Sequence, residues 1–214
     1  ERAPFAPTPA RYVDKIGVGR GLAERVRALG SSIDTNLRSR ARAKNLTVQE
    51  LVLYTLERDR RQELIPRARA AGARGRLLTD GDVAGGIAAC LSTSEVDIYV
   101  GSGGAPEGVL TAAAVRCVDG QMQGRLLFED DTQRERALAM NPGKSPDRKL
   151  GLQDMAAGPV LFSATGVTTG ALLRGVHQHP YHAVTHSLVM RSKSGTSRFV
   201  EAHHNFRTKN WAPE

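Results

Sequence analysis

Three carboxylates lie in loops suited to ligand chemistry. Asp80 and Asp82 fall within Leu78-Thr-Asp-Gly-Asp-Val-Ala-Gly85, and Glu107 within Gly103-Gly-Ala-Pro-Glu-Gly-Val-Leu110. Each loop follows a short apolar run and opens an Ala-rich one, the order of strand, turn and helix. In parallel sheets, ligands bind at such loops, outside the carboxyl ends of the strands. Carboxylates gathered there repel one another unless a cation or sugar hydroxyls lie among them, and their hard oxygens suit Mg²⁺ or Mn²⁺. The plainer reading makes Asp80 and Asp82 caps of a helix starting at Val83. Glu107 would then decorate another helix start, where the dipole favours negative charge. The motifs alone leave both readings open. Arg58 and Arg60 have side chains that form planar, charge-assisted bonds to phosphate, or they belong to a solvated basic face. Tyr12 taken alone reads as a packing residue.

The remaining reactive types are weaker signals. All six histidines follow residue 176. His177, His179, His182 and His186 have the density of a transition-metal cluster, but no acidic or Cys partner is close in sequence, so a solvated loop is the plainer expectation. Cys90 and Cys117 occupy Ala-rich segments and read as buried small hydrophobes, in keeping with a reducing, cytoplasmic compartment.

These residues need a framework, and the middle of the chain supplies one. The pattern predicts a helix from Arg60 to Gly72, a strand at Arg76–Thr79, a helix at Val83–Leu91, a strand at Val96–Val100 and a helix at Pro106–Cys117. Gly101-Ser-Gly-Gly104 reads as the turn before the last of these. Such alternation is the rhythm of a parallel sheet flanked by helices. Further strands are predicted at Gln123–Phe128, Val160–Ala164, Ser187–Arg191 and Arg198–His203, with one short helix in the polar stretch Glu129–Lys149. Thr47-Val-Gln-Glu50 has capping-box spacing and could launch a helix through Tyr54. The run Leu51–Leu56 equally suits a short buried strand.

The formal charge of +8 with a pI near 10.0 raises the question of nucleic acid. Its distribution argues for something else. Arg11–Arg76 holds 16 basic and 7 acidic residues, Asp80–Asp131 holds 2 and 9, and Thr132–Glu214 holds 11 and 5. A basic block facing an acidic centre fits phosphate binding beside cation binding, and 5% aromatic residues is poor for base stacking. No apolar run approaches about 18 residues, so no membrane span is expected, and the first ten residues do not form a signal peptide.

Taken together, the two loops resemble the signature loops of class II fructose-1,6-bisphosphatases, whose cyanobacterial relatives also cleave sedoheptulose 1,7-bisphosphate. Tyr12-Val-Asp-Lys-Ile16 is similar to the family's Tyr-Met-Glu-Lys segment. Leu56-Glu-Arg-Asp-Arg-Arg-Gln-Glu-Leu-Ile65 is similar to its Leu-Asp-Arg-Pro-Arg-His-x-x-Leu-Ile. Met122-Gln-Gly-Arg-Leu-Leu127 and Phe162-Ser-Ala-Thr-Gly-Val-Thr168 agree as well, so the resemblance runs from Tyr12 to Glu201. It implies the α/β fold of the lithium-sensitive sugar phosphatase superfamily, a mixed, mostly parallel sheet with flanking helices, and a strand at Leu51–Leu56. It further implies that Tyr12, Arg58 and Arg60 hold the phosphate that is not cleaved, that Asp80, Asp82 and Gly104 hold the sugar, and that Glu107 is a metal ligand.

The implied reaction is metal-dependent hydrolysis of the 1-phosphate of fructose 1,6-bisphosphate, in gluconeogenesis or the Calvin cycle, by a cytoplasmic homo-oligomer with neither nucleic acid nor membrane as partner. The family's Gly-Glu-Gly-Glu and Asp-Pro-x-Glu-Gly-Thr segments, which hold most of its metal ions, have no counterpart here. Asp59 and Arg61 replace a Pro and a His, and Thr169 stands where a charged residue is usual. The expected organisation is therefore a flexible end at residues 1–10, the carboxy-terminal portion of the family domain at 11–205, and a tail at 206–214. A catalytically silent phosphosugar-binding fragment or regulatory relative is the alternative.

Overall fold

The computed structural model describes residues 10, 12–19, 29–56, 63–78 and 81–209. Two sheets and a layer of helices between them organise these residues. The first sheet holds β1 (Tyr12–Val18), β2 (Val52–Leu56), β3 (Arg74–Leu78), β4 (Ile98–Gly104) and β5 (Gln121–Leu127), in the order β3-β2-β4-β1-β5. β2 runs parallel to β3 and β4, whereas β1 is antiparallel to both β4 and β5. Four strands thus share one direction and β1 alone opposes them, which is the mixed, mostly parallel sheet expected.

The two faces of this sheet are covered differently. On one side, Ile16, Val18, Leu53, Ile98 and Val100 pack against α1 (Ile33–Lys44) and α2 (Leu64–Ala70) through Ile33, Leu37, Ala41, Ile65 and Ala68. On the other lie α3 (Asp82–Ala88), α4 (Ala105–Arg116) and the short α6 (Leu152–Met155), with α5 (Asp131–Met140) between β5 and α6 in the chain. The second sheet contains β6 (Leu161–Thr165), β7 (His177–Gln178), β8 (His182–Arg191) and β9 (Thr196–Asn205), all paired antiparallel around β8; α7 (Phe206–Lys209) follows. Its inner residues Leu188 and Met190 meet Ile87, Ala114 and Cys117. Consequently α3 and α4 are pressed between two sheets. That position explains their sequences: a helix covered on both sides is apolar all round, and Ala and Gly let both sheets come close.

Several expectations are corrected by pairing that lies far away in sequence. Gly101-Ser-Gly-Gly104 is not a turn but the last stretch of β4, because β1 supplies partners as far as Tyr12 opposite Gly104. β1 and α1 were not anticipated; of the later strands expected, the one at Gln123–Phe128 joins the first sheet as β5 and the other three belong to the second, antiparallel sheet. In the region 47–56 the strand reading holds and the helix through Tyr54 does not, although its capping box forms. Glu50 accepts from the Thr47 N–H at 2.8 Å and closes a single 3-10 turn, Val48–Glu50, after which β2 begins. Of the helix expected at Arg60–Gly72, the portion Leu64–Ala70 is helical and residues 60–62 lie outside the described part.

Cys90 and Cys117 are both buried and free. Cys90 donates to the Val18 carbonyl at 3.3 Å, and burial pushes its thiol up from 9.0 to about 12, against the pull of nearby Arg40. As pH rises through that interval, the unfolded chain loses this proton before the folded one does, so stability falls. Urea unfolding at pH 8 and pH 10 should therefore show a steeper loss for the native chain than for Cys90→Ala, by up to about 1.4 kcal/mol per pH unit. Equal slopes would mean that the thiol is open to water.

Candidate functional site

At one end of the first sheet, β3 and β4 finish and β1 begins. Because β1 is antiparallel, Tyr12 at its start lies directly opposite Gly104 at the end of β4. Gly81 and Asp82 begin α3 just beyond β3, with Gly81 in a left-handed conformation, φ 92°. Glu107 sits in the first turn of α4, immediately after Gly104. Tyr12, Asp82, Gly104 and Glu107 therefore share one sheet edge. Asp80, Arg58 and Arg60 lie outside the described residues.

The interior of this edge is held by charge. Lys15 on β1 is wholly buried, and its ammonium pairs with Oδ2 of Asp82. The Tyr99 hydroxyl donates to the other oxygen, Oδ1. A buried lysine or aspartate alone would be strongly destabilising; paired and hydrogen-bonded, each answers the other. Two glycines make room for the arrangement. A Cβ at Gly101 would strike the Tyr99 ring, which lies along the strand over that position. One at Gly103 would collide with the Asp82 carboxylate and approach Glu107 Oε2 to 3.2 Å. Lys15, Tyr99, Gly101 and Gly103 share a face because side chains alternate along strands, and Lys15 is opposite Gly101 in the register.

Glu107 is fixed from the other side. Its Oε2 accepts from the Gly104 N–H at 2.9 Å, closing the first turn of α4, and Thr111 donates to its carbonyl at 2.8 Å. On the opposite face of the sheet, Ser102 donates to Asp14. A hard divalent cation suits a glutamate oxygen, but it needs several oxygens arranged together. Among the described residues no group of three or more His, Cys, Asp or Glu side chains converges. The described residues alone therefore do not assemble a set of oxygens able to hold such an ion. The histidines form no such centre among them either. His177 lies on β7 and His182 and His186 on β8, where His179 and His182 stack with ring centroids 4.2 Å apart.

Comparison with known proteins identifies the family. The family model described as bacterial fructose-1,6-bisphosphatase, glpX-encoded, matches residues 1–204. The chain belongs to the bacterial fructose-1,6-bisphosphatase family. It is similar to the D-fructose 1,6-bisphosphatase class 2/sedoheptulose 1,7-bisphosphatase of Microcystis aeruginosa, 38% identical over 190 residues covering 83% of this chain and 55% of the relative. The proteins of the same name from Synechocystis and Trichodesmium erythraeum are 37% and 34% identical, with 54% and 63% of their lengths covered. The chain thus spans somewhat over half the length of the curated relatives it matches.

In this bacterial fructose-1,6-bisphosphatase family chain, the sequence motifs singled out residues that share this edge but not the buried pair that supports it. Lys15 was visible inside Tyr12-Val-Asp-Lys-Ile16 without an assigned partner, and Tyr99 read as one more strand aromatic. An adjacent Asp14-Lys15 pair between apolar residues, in a strand that was not recognised, was the available signal. Replacing Lys15 by Met should cost about 3–5 kcal/mol, since the Asp82 carboxylate is left buried and uncompensated. Combining it with Asp82→Asn should recover part of the loss. Urea midpoints for the two variants test this, and a Lys15→Met loss below about 1 kcal/mol would show that water reaches the pair.

Proposed function

We propose that this chain forms the sugar-phosphate side of a metal-dependent phosphatase that removes the 1-phosphate of fructose 1,6-bisphosphate and also accepts sedoheptulose 1,7-bisphosphate. The observation that carries the reading is the meeting of Tyr12, Gly104, Asp82 and Glu107 at one sheet edge in a chain of this family. Tyr12 would donate to the phosphate that is retained, with Arg58 and Arg60 as its charged partners. Asp80, Asp82 and the Gly104 backbone would hold sugar hydroxyls. Asp82 can do this while anchored, since each carboxylate oxygen keeps a further lone pair after binding Lys15 or Tyr99. Glu107 would contribute one ligand to Mg²⁺ or Mn²⁺. When bound, such ions supply an activated water and neutralise charge on the leaving oxygen.

The two buried free thiols suit a reducing cytoplasm, where the reaction would serve gluconeogenesis or the Calvin cycle. Leu161 and Val167 on or beside the second sheet are 73% and 78% exposed, and apolar groups so presented support a homo-oligomer.

Two measurements test the reading. Arg60→Ala should weaken fructose 1,6-bisphosphate binding by about 1.5–3 kcal/mol, the worth of a hydrogen bond to a charged group; an unchanged dissociation constant in calorimetry would remove Arg60 from the site. Phosphate release by the 214-residue chain should stay near background even in excess Mn²⁺, because the described residues do not complete a metal site. Robust turnover abolished by Glu107→Gln would show instead that residues not identified above complete it.

A further inference from the structure

At the opposite end of the first sheet, where β1 runs out at Val18 and β4 begins, lies a cavity of about 530 Å³. Its wall includes Gly19, Arg40, Lys44, Cys90, Ser92 and Ser94. Arg40, on α1, is only 4% exposed, and its Nε has no hydrogen-bond partner among the described residues. Burial pulls its guanidinium below the ordinary arginine value, and Asp97 acts in the other direction. Asp97 is not free to serve as its acceptor. One of its oxygens takes the Lys44 ammonium at 2.5 Å, and the other takes the Val52 N–H at 2.8 Å. Asp119, also on the wall, is engaged elsewhere. The Cys90 thiol already donates to Val18 and carries no charge near neutral pH. A guanidinium taken out of water without its full set of acceptors is destabilising, and the remedy is an anion with several oxygens.

We infer that this cavity binds a phosphate group, at a site separate from the sheet edge that would take the sugar bisphosphate. Arg40 provides the buried fork, Lys44 adds a half-exposed charge, and the Ser92 and Ser94 hydroxyls can donate to remaining oxygens. Ser94 accepts from the Val96 N–H at 3.1 Å and keeps its own proton available. A planar fork matches phosphate geometry in a way that a lysine does not. The volume exceeds what inorganic phosphate alone would fill and leaves room for a small organic group on a phosphomonoester. Because the two sites lie at opposite ends of the strands, occupancy of one does not block the other.

The test is titration of the full 214-residue chain with inorganic phosphate and with phenyl phosphate, followed by calorimetry and by amide NMR shifts. Phosphate should move the amides of Gly19 and Ser94, in the native chain and in Tyr12→Phe alike. Arg40→Gln should weaken this binding at least tenfold, and Lys44→Met, at a half-exposed position, a few-fold. Tighter binding of phenyl phosphate would assign the site to a phosphomonoester, and equal affinities would assign it to free phosphate. Shifts confined to Tyr12 and Gly104, or an unchanged affinity in both Arg40→Gln and Lys44→Met, would overturn the inference. Unchanged sugar bisphosphate binding in Tyr12→Phe, with intact Gly19 shifts, would count against the sheet-edge reading only.

Discussion

The pairing of Lys15 with Asp82 is the constraint around which this end of the molecule is arranged. It joins β1, which runs against its neighbours, to the first residue of α3. A lysine can sit wholly buried on a central strand only if an anion reaches it. Asp82 can remain buried only if both of its oxygens are answered, by Lys15 and by Tyr99. The glycines at 101 and 103 follow from this geometry, since any side chain there would occupy the space of the Tyr99 ring or the Asp82 carboxylate. The same glycines bring the backbone at the end of β4 close to Glu107. A surface with bare backbone and fixed carboxylates thus arises from a demand of the core, and its precision comes from the buried side chains of Lys15 and Tyr99.

The helix layer transmits that precision. α3 and α4 start at this edge and run side by side between the two sheets. Their contact is tight: a Cβ at Gly86 would lie 2.5 Å from a methyl of Thr111, and Thr111 in turn bonds back to the Glu107 carbonyl. Glu107 is therefore coupled through α4 to α3, and through α3 to Asp82. Packing of this density leaves little room for either helix start to move independently.

What could be read in the sequence was local. The strand–loop–helix units around Asp82 and Glu107 emerged because turn residues and apolar runs of opposite character adjoin one another. Residues 47–56 carried the signals of a capping box and of a strand, and the box closes a single turn before the strand begins. β1 escaped notice because Asp14 and Lys15 interrupt its apolar pattern, and the reason for their presence, Ser102 and Asp82, lies 88 and 67 residues away. The extension of β4 into Gly104 was hidden for the same reason, glycines being weak strand formers that only a long-range partner can recruit. Buried charge chosen by a distant partner is the element that a local pattern cannot reveal.

The same lesson applies to the net charge. The amino-terminal block rich in Lys and Arg suggests a basic surface when counted along the chain. In three dimensions Lys15 and Arg40 are buried, Lys44 bonds Asp97, Arg67 faces Asp34 and Arg76 faces Glu95, both at 3.5 Å. Among the described residues, these five cations are thus buried or placed beside an acidic partner, so a count along the chain does not translate directly into exposed charge. Lys15 and Arg40, the buried cations among the described residues, differ in their partners. Lys15 has its anion in the protein and serves as a fixed support, whereas Arg40 has a neighbouring carboxylate already committed to other donors. A cation whose acceptors are supplied by the chain makes structure; one whose acceptors are missing makes a place for a ligand.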